Sequence, residues 1–291
     1  MVPDPQQAGC GMVVFSPRMM NSGDPALFFC GSAIVKQTNS PTAKETNLEY
    51  YESSAAGRED YWRKMAAPRL RVKTLLGLMR EAPPRRLIDL GCGNGQLLEE
   101  VGRNFPEAKL AGVDLSTALI QASHRTKREI EWSTCDLQQR DSVNPELHGR
   151  FDTIVASELI EHLEEPSNLL VNALKLASPG GRLLLSTQSG PVRETERRVG
   201  HYRHFSQSDM KALLTQTGWE PMRIWNAGFP FHDLSKWWAN IDPDKSMAQF
   251  SERAYGPYQN LICLALRFAF LLNSRSRGAQ LFVVARKPLH P

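Results

Sequence analysis

In Arg86-Leu87-Ile88-Asp89-Leu90-Gly91-Cys92-Gly93-Asn94-Gly95-Gln96, a short apolar run is followed directly by three glycines at alternate positions. Leu87, Ile88 and Leu90 predict a buried strand. The glycines allow a sharp turn and a close approach of the backbone to a ligand, because a side chain would occupy that space. The helix predicted from Leu97 to Arg103 would aim its free N–H groups at such a ligand. The turn is therefore either a ligand site or a tight strand-to-helix connection without a ligand.

Two acidic residues narrow the kind of ligand. Asp89 stands just before the glycines, and Asp114 ends the next apolar run, which starts at Leu110. An acid about 20 residues past such a turn is where ribose hydroxyls are held. Asp89 would repel a pyrophosphate and attract an ammonium group. The pattern therefore favours a ribose-bearing ligand with a cationic end over a dinucleotide.

These motifs, D-L-G-C-G-N-G from Asp89 and V-D-L-S from Val113, resemble the nucleotide-binding core of class I S-adenosylmethionine (SAM) methyltransferases. In its core the chain is similar to small-molecule O-methyltransferases of the ubiquinone-biosynthesis type. The resemblance implies an α/β fold, a Rossmann-like seven-stranded and mostly parallel sheet. It also implies an enzyme that uses SAM and releases S-adenosylhomocysteine.

The resemblance assigns parts of the cofactor to particular residues. The turn from Asp89 to Gly95 would face the methionine part, Asp114 the ribose, and Asp136 the adenine amino group. An arginine before the first strand would reach the SAM carboxylate. The expected cofactor-binding residues are Arg71, Asp89, Gly91, Cys92, Gly93, Gly95, Asp114, Leu115, Asp136, Leu137 and Ser157.

The chain is expected to have four parts. Residues 1–45 predict a disordered or loosely packed extension, residues 46–228 the SAM-binding core with N-terminal lid helices, residues 229–279 an insertion, and residues 280–291 the last strand and a tail. About fifty residues between the last two strands are too many for a structureless loop, so a helical, aromatic-rich insertion is predicted. It could be a substrate cap, a packing module or dimer contact, or a membrane-surface helix.

Local signals predict several element boundaries. These predictions are an N-terminal helical region divided near Pro68, a helix over residues 116–128, a helix opening at Pro166, a turn at residues 179–181, a strand over residues 182–187, a helix capped by Ser206, and a last strand over residues 280–286.

A second motif, E-x-x-E-H from Glu158 to His162, carries the candidate chemistry. A helical turn would put Glu158 and His162 on one face. A neutral histidine is a suitable base near pH 7, and His201 and His204 lie in a later loop. The catalytic candidates are His162, His201, His204 and Glu161. No metal is expected; the alternative is a metal site of Glu158, Glu161, His162 and His201.

The predicted function is SAM-dependent methyl transfer to a small molecule, at a hydroxyl oxygen of an aromatic, polyketide-like or lipid-like compound. One alternative is a metal-dependent RNA 2′-O-methyltransferase, which the E-x-x-E-H motif also resembles. Another is a non-catalytic SAM-binding partner subunit, whose aromatic insertion would be a partner surface.

Bulk properties bound the partners. The net charge of +4 is too small to indicate a nucleic-acid partner. Five scattered cysteines without a C-x-x-C pair predict reduced thiols in a cytoplasmic protein. The longest apolar run, over residues 261–272, contains Arg267 and is too short to span a bilayer. A small-molecule substrate, no transmembrane segment and a homodimer that could form through the insertion are therefore expected.

Overall fold

Seven strands form one sheet in the computed structural model, which describes residue 52 and residues 59–123, 129–250 and 254–289. The predicted extension over residues 1–45 lies outside these residues, and the division into four parts stays a prediction. The strands are β1 (Arg86–Leu90), β2 (Lys109–Asp114), β3 (Ile130–Thr134), β4 (Phe151–Ser157), β5 (Ala177–Gln188), β6 (Glu220–Ala227) and β7 (Gln280–Arg286).

The strand order is β3-β2-β1-β4-β5-β7-β6. Pairs from β3 to β5 are parallel, whereas β7 runs antiparallel to both of its neighbours. This is the mostly parallel, Rossmann-like sheet that the sequence predicted. The order reverses on either side of β1 and β4, which is where sheets of this kind bind ligands, beyond the carboxyl ends of the strands.

Ten α-helices occur among the described residues, and they cover both faces of the sheet. They are α1 (Glu59–Lys64), α2 (Ala66–Glu81), α3 (Gln96–Asn104), α4 (Thr117–Ser123), α5 (Pro166–Leu176), α6 (Glu194–Arg198), α7 (Gln207–Gln216), α8 (Phe231–Ala239), α9 (Pro243–Phe250) and α10 (Pro257–Ala269). Short 3-10 helices lie at Pro145–Leu147, Ile160–His162 and Phe270–Leu272.

The side chains of β1 divide between two hydrophobic clusters. Leu87 packs in the cluster that contains buried residues of α2 and α3, whereas Ile88 and Leu90 pack in the cluster of α5 and α7. Successive side chains of a strand point to opposite faces, so an almost continuously apolar strand needs helices on both sides. This buried layer holds the end of β1 in place beside the glycines.

The N-terminal helical region was predicted to divide near Pro68, and it divides at Met65, which is the N-cap residue of α2. Pro68 is the third residue of that helix. Proline is tolerated there because the N–H groups of the first turn have no partner within the helix. Pro68 therefore belongs to the first turn of α2, whereas from the sequence it was interpreted as a break between two helices.

The turn predicted at residues 179–181 belongs instead to β5, which starts five residues before the expected Arg182. Gly180 has a left-handed φ of 75°, yet its N–H donates to Lys287 O, and the Lys287 N–H donates to Gly181 O. The residue that follows β7 therefore joins this glycine pair to the sheet, despite the left-handed backbone of Gly180. By contrast, the start of α5 at Pro166, the cap of α7 at Ser206 and the bounds of β7 are as predicted. The predicted end of α4, at residue 128, lies outside the residues that the structure describes.

Helices α8, α9 and α10 fill the connection between β6 and β7. No helix among the described residues combines the length and apolar composition needed to cross a bilayer. Helix α10 packs against α1 and α2, through contacts that include Cys263 Sγ at 3.5 Å from Met65 Sδ. The connection between β6 and β7 therefore contacts the N-terminal helices at the edge of the sheet where the glycine turn lies.

Candidate active site

A cavity of about 660 Å³ lies at the carboxyl ends of β1, β2 and β4. Its walls come from three parts of the chain: the turns that follow these strands, the N-terminal helices, and helices α8 to α10. The N-terminal helices contribute Tyr61, Trp62 and Arg71, and the later helices contribute Lys236, Trp238 and Ile262, among others. One cavity is therefore shared by the glycine turn and the connection between β6 and β7.

The three glycines of the turn have different neighbours. All three have a left-handed φ, between 54° and 80°. A Cβ on Gly95 would lie 2.5 Å from the ring of Trp132, and one on Gly91 would lie 2.9 Å from Leu159. A Cβ on Gly93 would meet no protein atom within 4 Å, and Gly93 lines the cavity. Only Gly93 therefore leaves room for a ligand, whereas the other two make room for the protein's own side chains.

Asp114 is held rigidly at the end of β2. Its carboxylate accepts hydrogen bonds from Gly93 N at 2.8 Å and from Ser116 N at 2.9 Å. Asp89 is almost fully buried beside it. Burial, together with the charge of Asp114, raises the pKa of Asp89 well above its ordinary value. A cation next to these two carboxyl groups would stabilise their charged forms and so offset the free-energy cost of burying them.

Glu158 follows β4 with a left-handed φ of 53° and does not share a helix face with His162, contrary to prediction. The helical turn begins only at Ile160, because Glu158 still pairs through its N–H with Ser186 O at 2.9 Å. Its carboxylate lies 3.7 Å from an Arg71 nitrogen and accepts hydrogen bonds from Gln188 and Gln280. Burial alone would raise the pKa of Glu158, but these partners hold it below its usual range.

Hydrogen bonds fix the orientation of the three histidine rings. His204 Nδ1 donates to Gly190 O at 3.1 Å, so His204 Nε2 accepts from His201 Nδ1 at 3.0 Å. His162 Nδ1 donates to Gly200 O at 3.2 Å, and the rings of His162 and His201 lie 4.6 Å apart. These tautomers follow from the acceptors that are present. In both cavity-lining rings, Nε2 is then the nitrogen that can accept a proton.

Burial keeps these rings neutral. It lowers the pKa of His162 to about 4 and that of His201 to about 2, the neighbouring histidines adding to the effect. The neutral imidazole is the form that can take a proton from an acceptor hydroxyl.

Glu161 lies behind the histidines and is fully buried. One of its oxygens accepts a hydrogen bond from Thr187 Oγ1 at 2.7 Å, and the other has no hydrogen-bond partner within the described part of the chain. Burial, followed by repulsion from Glu158, raises the pKa of Glu161 well above its ordinary value. Glu161, His162 and His201 each offer one ligand atom within 4.8 Å of the others, a spacing that a metal ion could bridge; Glu158 is not in that group.

The cavity gathers most of the residues that the sequence singled out. Gly95, Glu161 and His204 do not line it. Gly95 packs under Trp132, and the Glu161 carboxylate accepts from Thr187. His204 accepts from His201, which does line the cavity. The predicted residues that line it are Arg71, Asp89, Gly91, Cys92, Gly93, Asp114, Leu115, Asp136, Leu137, Ser157, Glu158, His162 and His201.

Sequence reasoning missed Lys236, Gln280 and Trp132. Lys236 lines the cavity and lies 2.6 Å from a carboxylate oxygen of Glu196. Gln280 binds Glu158 from the first residue of β7, 122 positions away along the chain. No local pattern marks such a pairing. Trp132 offered a signal, because a large ring in β3 needs small neighbours, and it lies over both Gly95 and Gly112.

The chain matches the model of a methyltransferase domain over residues 61–223. It is 29% identical over 196 residues to malonyl-[acyl-carrier protein] O-methyltransferase of Anoxybacillus flavithermus, covering 67% of this chain and 69% of that one. It is 30% identical over 105 residues to ubiquinone biosynthesis O-methyltransferase of Alkalilimnicola ehrlichii, covering 35% and 41%. The chain spans only about two fifths of the length of several curated relatives that it matches, among them the one from Alkalilimnicola ehrlichii.

Among solved structures, the chain resembles the N-methyltransferase NodS of Bradyrhizobium japonicum in complex with S-adenosylhomocysteine. The TM-score is 0.52 at 20% identity, over 84% of this chain and 99% of that one. At this identity the likeness concerns the fold.

Proposed function

The chain belongs to the class I SAM-dependent methyltransferases, and on that basis we propose that it methylates a hydroxyl oxygen of an aromatic, polyketide-like or lipid-like small molecule. The family, the enzyme class and the cofactor that the sequence predicted are thereby confirmed. The acceptor and the roles of individual residues are our proposal.

The residues at the glycine turn fit the cofactor. Gly93 leaves open space beside the backbone, and Asp89 and Asp114 present two carboxyl groups to the same cavity. Asp89 would hold the ammonium group, Asp114 the ribose hydroxyls, and Asp136 with Leu137 the adenine. When bound, SAM supplies a methyl group on a positively charged sulfur, which is already activated for transfer.

The observation that carries the proposal is the continuity of the cavity between the glycine turn and the histidines. Asp89 and Gly93 line the same space as His162, His201 and the rings of α8. An apolar acceptor can therefore lie against aromatic walls while its hydroxyl meets a neutral imidazole. We assign proton acceptance to His162 Nε2, with His201 beside it. His204 holds the His201 ring through its hydrogen bond, and the Gly200 carbonyl holds the His162 ring. We assign Glu161, whose carboxylate lies close to both rings, a positioning role.

The test combines binding with a substrate panel. Calorimetry should show SAM binding, and labelled methyl should pass to phenols and other apolar hydroxyl compounds but not to the same compounds with the hydroxyl already methylated. His162→Gln should lower kcat by roughly a hundredfold or more while SAM still binds. The exposed His148→Gln is the control. Transfer only to amines, or full activity in His162→Gln, would contradict the proposal.

A metal-assisted reaction is the second candidate, because Glu161, His162 and His201 lie close enough to share an ion. This is also the arrangement on which the RNA 2′-O-methyltransferase alternative depends. The two versions differ in their response to chelation. Our proposal expects that dialysis against EDTA leaves activity unchanged. Loss of activity that Mn²⁺ or Mg²⁺ restores in the wild type, and not in Glu161→Gln, would favour the metal.

A further inference from the structure

Helix α10 and the 3-10 turn after it are apolar on two opposite sides. Ile262, Leu266 and Phe270 line the cavity, at a spacing of four residues. Leu261, Leu264, Phe268, Leu271 and Leu272 are 47% to 72% exposed. At 3.6 residues per turn these five fall on the side of the helix away from the cavity. We call them the outer stripe.

A helix that is apolar all round is normally buried on all sides or placed in lipid. Here the inner side is covered by the protein, and none of the described residues covers the outer stripe. Scattered exposed apolar residues are common, but five on one helical face form a continuous patch. Such patches mark interaction surfaces. The helix is 13 residues long, too short to span a bilayer and suited to lying along its surface.

The charged residues next to the outer stripe in the sequence are all basic. Arg267 flanks it on α10, and Arg275 and Arg277 are exposed in the loop just after it. None of the ion pairs among the described residues involves these three arginines, and residues 254–289 contain no Asp or Glu. The same loop exchanges backbone hydrogen bonds with Phe229, which is itself half exposed: Phe229 N to Arg277 O at 2.9 Å and Ser274 N to Phe229 O at 2.6 Å.

We propose that the outer stripe docks on an anionic lipid surface, with Phe268 and its apolar neighbours inserted among the acyl chains and the three arginines on the headgroups. Apolar area and basic residues together give stable binding of a surface helix, and each arginine near an anionic surface strengthens it. A second copy of the chain fits less well. In a two-fold contact the same arginines would face each other with no acid from residues 254–289 to pair with them.

Docking would place the wall of the cavity at the lipid boundary, because α10 carries both surfaces. It deepens the proposed function by favouring acceptors that partition into membranes. Binding to lipid is nevertheless measured without any acceptor, so failure of either proposal can be told from failure of the other.

The experiment is co-sedimentation of the full chain with vesicles of phosphatidylcholine alone or with a quarter phosphatidylglycerol. We expect binding to the anionic vesicles, weakening with salt. Leu264→Ser with Phe268→Ser should weaken it by at least roughly tenfold, and Arg275→Gln with Arg277→Gln also by roughly tenfold. Met222→Ser is the control, since Met222 is 53% exposed on β6. Circular dichroism and SAM calorimetry establish that each variant is folded.

Equal sedimentation of the folded Leu264→Ser and Phe268→Ser variant, or no vesicle binding by the wild type, would overturn the proposal. Gel filtration tests the alternative that a second copy of the chain covers the outer stripe. A dimer that this variant converts to a monomer, without vesicle binding by either form, would assign the outer stripe to a second copy.

Discussion

The ammonium group of Lys236 on α8 lies 2.6 Å from a carboxylate oxygen of Glu196 on α6, and it also donates to Gln188 Oε1 at 2.9 Å. Both side chains of the ion pair are at most 14% exposed. The pair therefore joins the helices between β6 and β7 to the segment after β5, at the wall of the cavity.

Removing one member of this pair should leave the other charge buried without its partner. We expect Lys236→Met to lower the free energy of unfolding by about 3 kcal/mol, and addition of Glu196→Gln to recover part of that loss. Urea denaturation of the two single variants and the double variant measures the coupling. Arg223→Met is the control, because the Arg223–Glu81 pair is exposed and contributes about 1 kcal/mol or less. Additive effects at Lys236 and Glu196 would contradict this account.

Gly93 and Gly95 should respond differently to the same change. Gly95→Ala forces a methyl against Trp132, so we expect a loss of about 1–3 kcal/mol of stability, plus the cost of its left-handed backbone. Gly93→Ala meets no protein atom, so only the backbone cost of about 1 kcal/mol applies, while SAM affinity falls because the methyl enters the cavity. Thermal unfolding and calorimetry on both variants make the comparison. Unchanged SAM affinity in Gly93→Ala would show that the cofactor does not approach there.

Asp89→Asn should stabilise the protein without cofactor and weaken SAM binding. The pKa of Asp89 is raised in the folded state, so the folded protein holds a proton that the unfolded chain releases. The stabilisation that the proton on Asp89 provides is complete below the pKa that Asp89 has in the unfolded chain. It declines as the pH rises from there towards the pKa of Asp89 in the folded protein. The asparagine removes that decline. We expect the melting temperature without SAM to be higher than wild type at pH 8 and similar at pH 4, with SAM affinity lost at both.

At lower pH, the buried His162 should make the stability of the protein change with pH in the opposite direction. Burial lowers its pKa to about 4, so between that value and about 6.5 the unfolded chain binds a proton that the folded protein does not. Stability should rise with pH across this window, by up to about 1.4 kcal/mol per pH unit from this group. Denaturation at pH 4.5, 5.5, 6.5 and 7.5 should give a shallower slope in His162→Gln than in the wild type.

The sequence predicted the part of the site that is built from local patterns. Asp89, Gly93 and Asp114 lie within or directly after strands whose apolar runs are plain, and the spacing of such residues follows from the strand–turn–helix unit itself. The bounds of β7 were equally plain, because Leu281, Phe282 and Val283 are buried in succession between two neighbouring strands.

The rest depends on contacts between distant segments. Glu158 was placed on a helix because E-x-x-E-H has helical spacing, but its backbone is held by Ser186, and its carboxylate by Arg71 and Gln280. Likewise, the sequence alone did not distinguish Gly93, which leaves space open in the cavity, from Gly95, which makes room for the ring of Trp132. A pattern in one segment indicates its own conformation and not the partner that another segment brings.

The central position of β7 has a consequence for how the chain is made. Among the described strands, β6 pairs only with β7, which is synthesised some fifty residues later. Until those residues leave the ribosome, β6 lacks the strand with which it pairs in the folded sheet. A nascent chain that folded before that point could pair only five strands and would leave β5 at an exposed edge, where other chains can add a strand. A chain that stops before residue 280 loses two strands of the sheet.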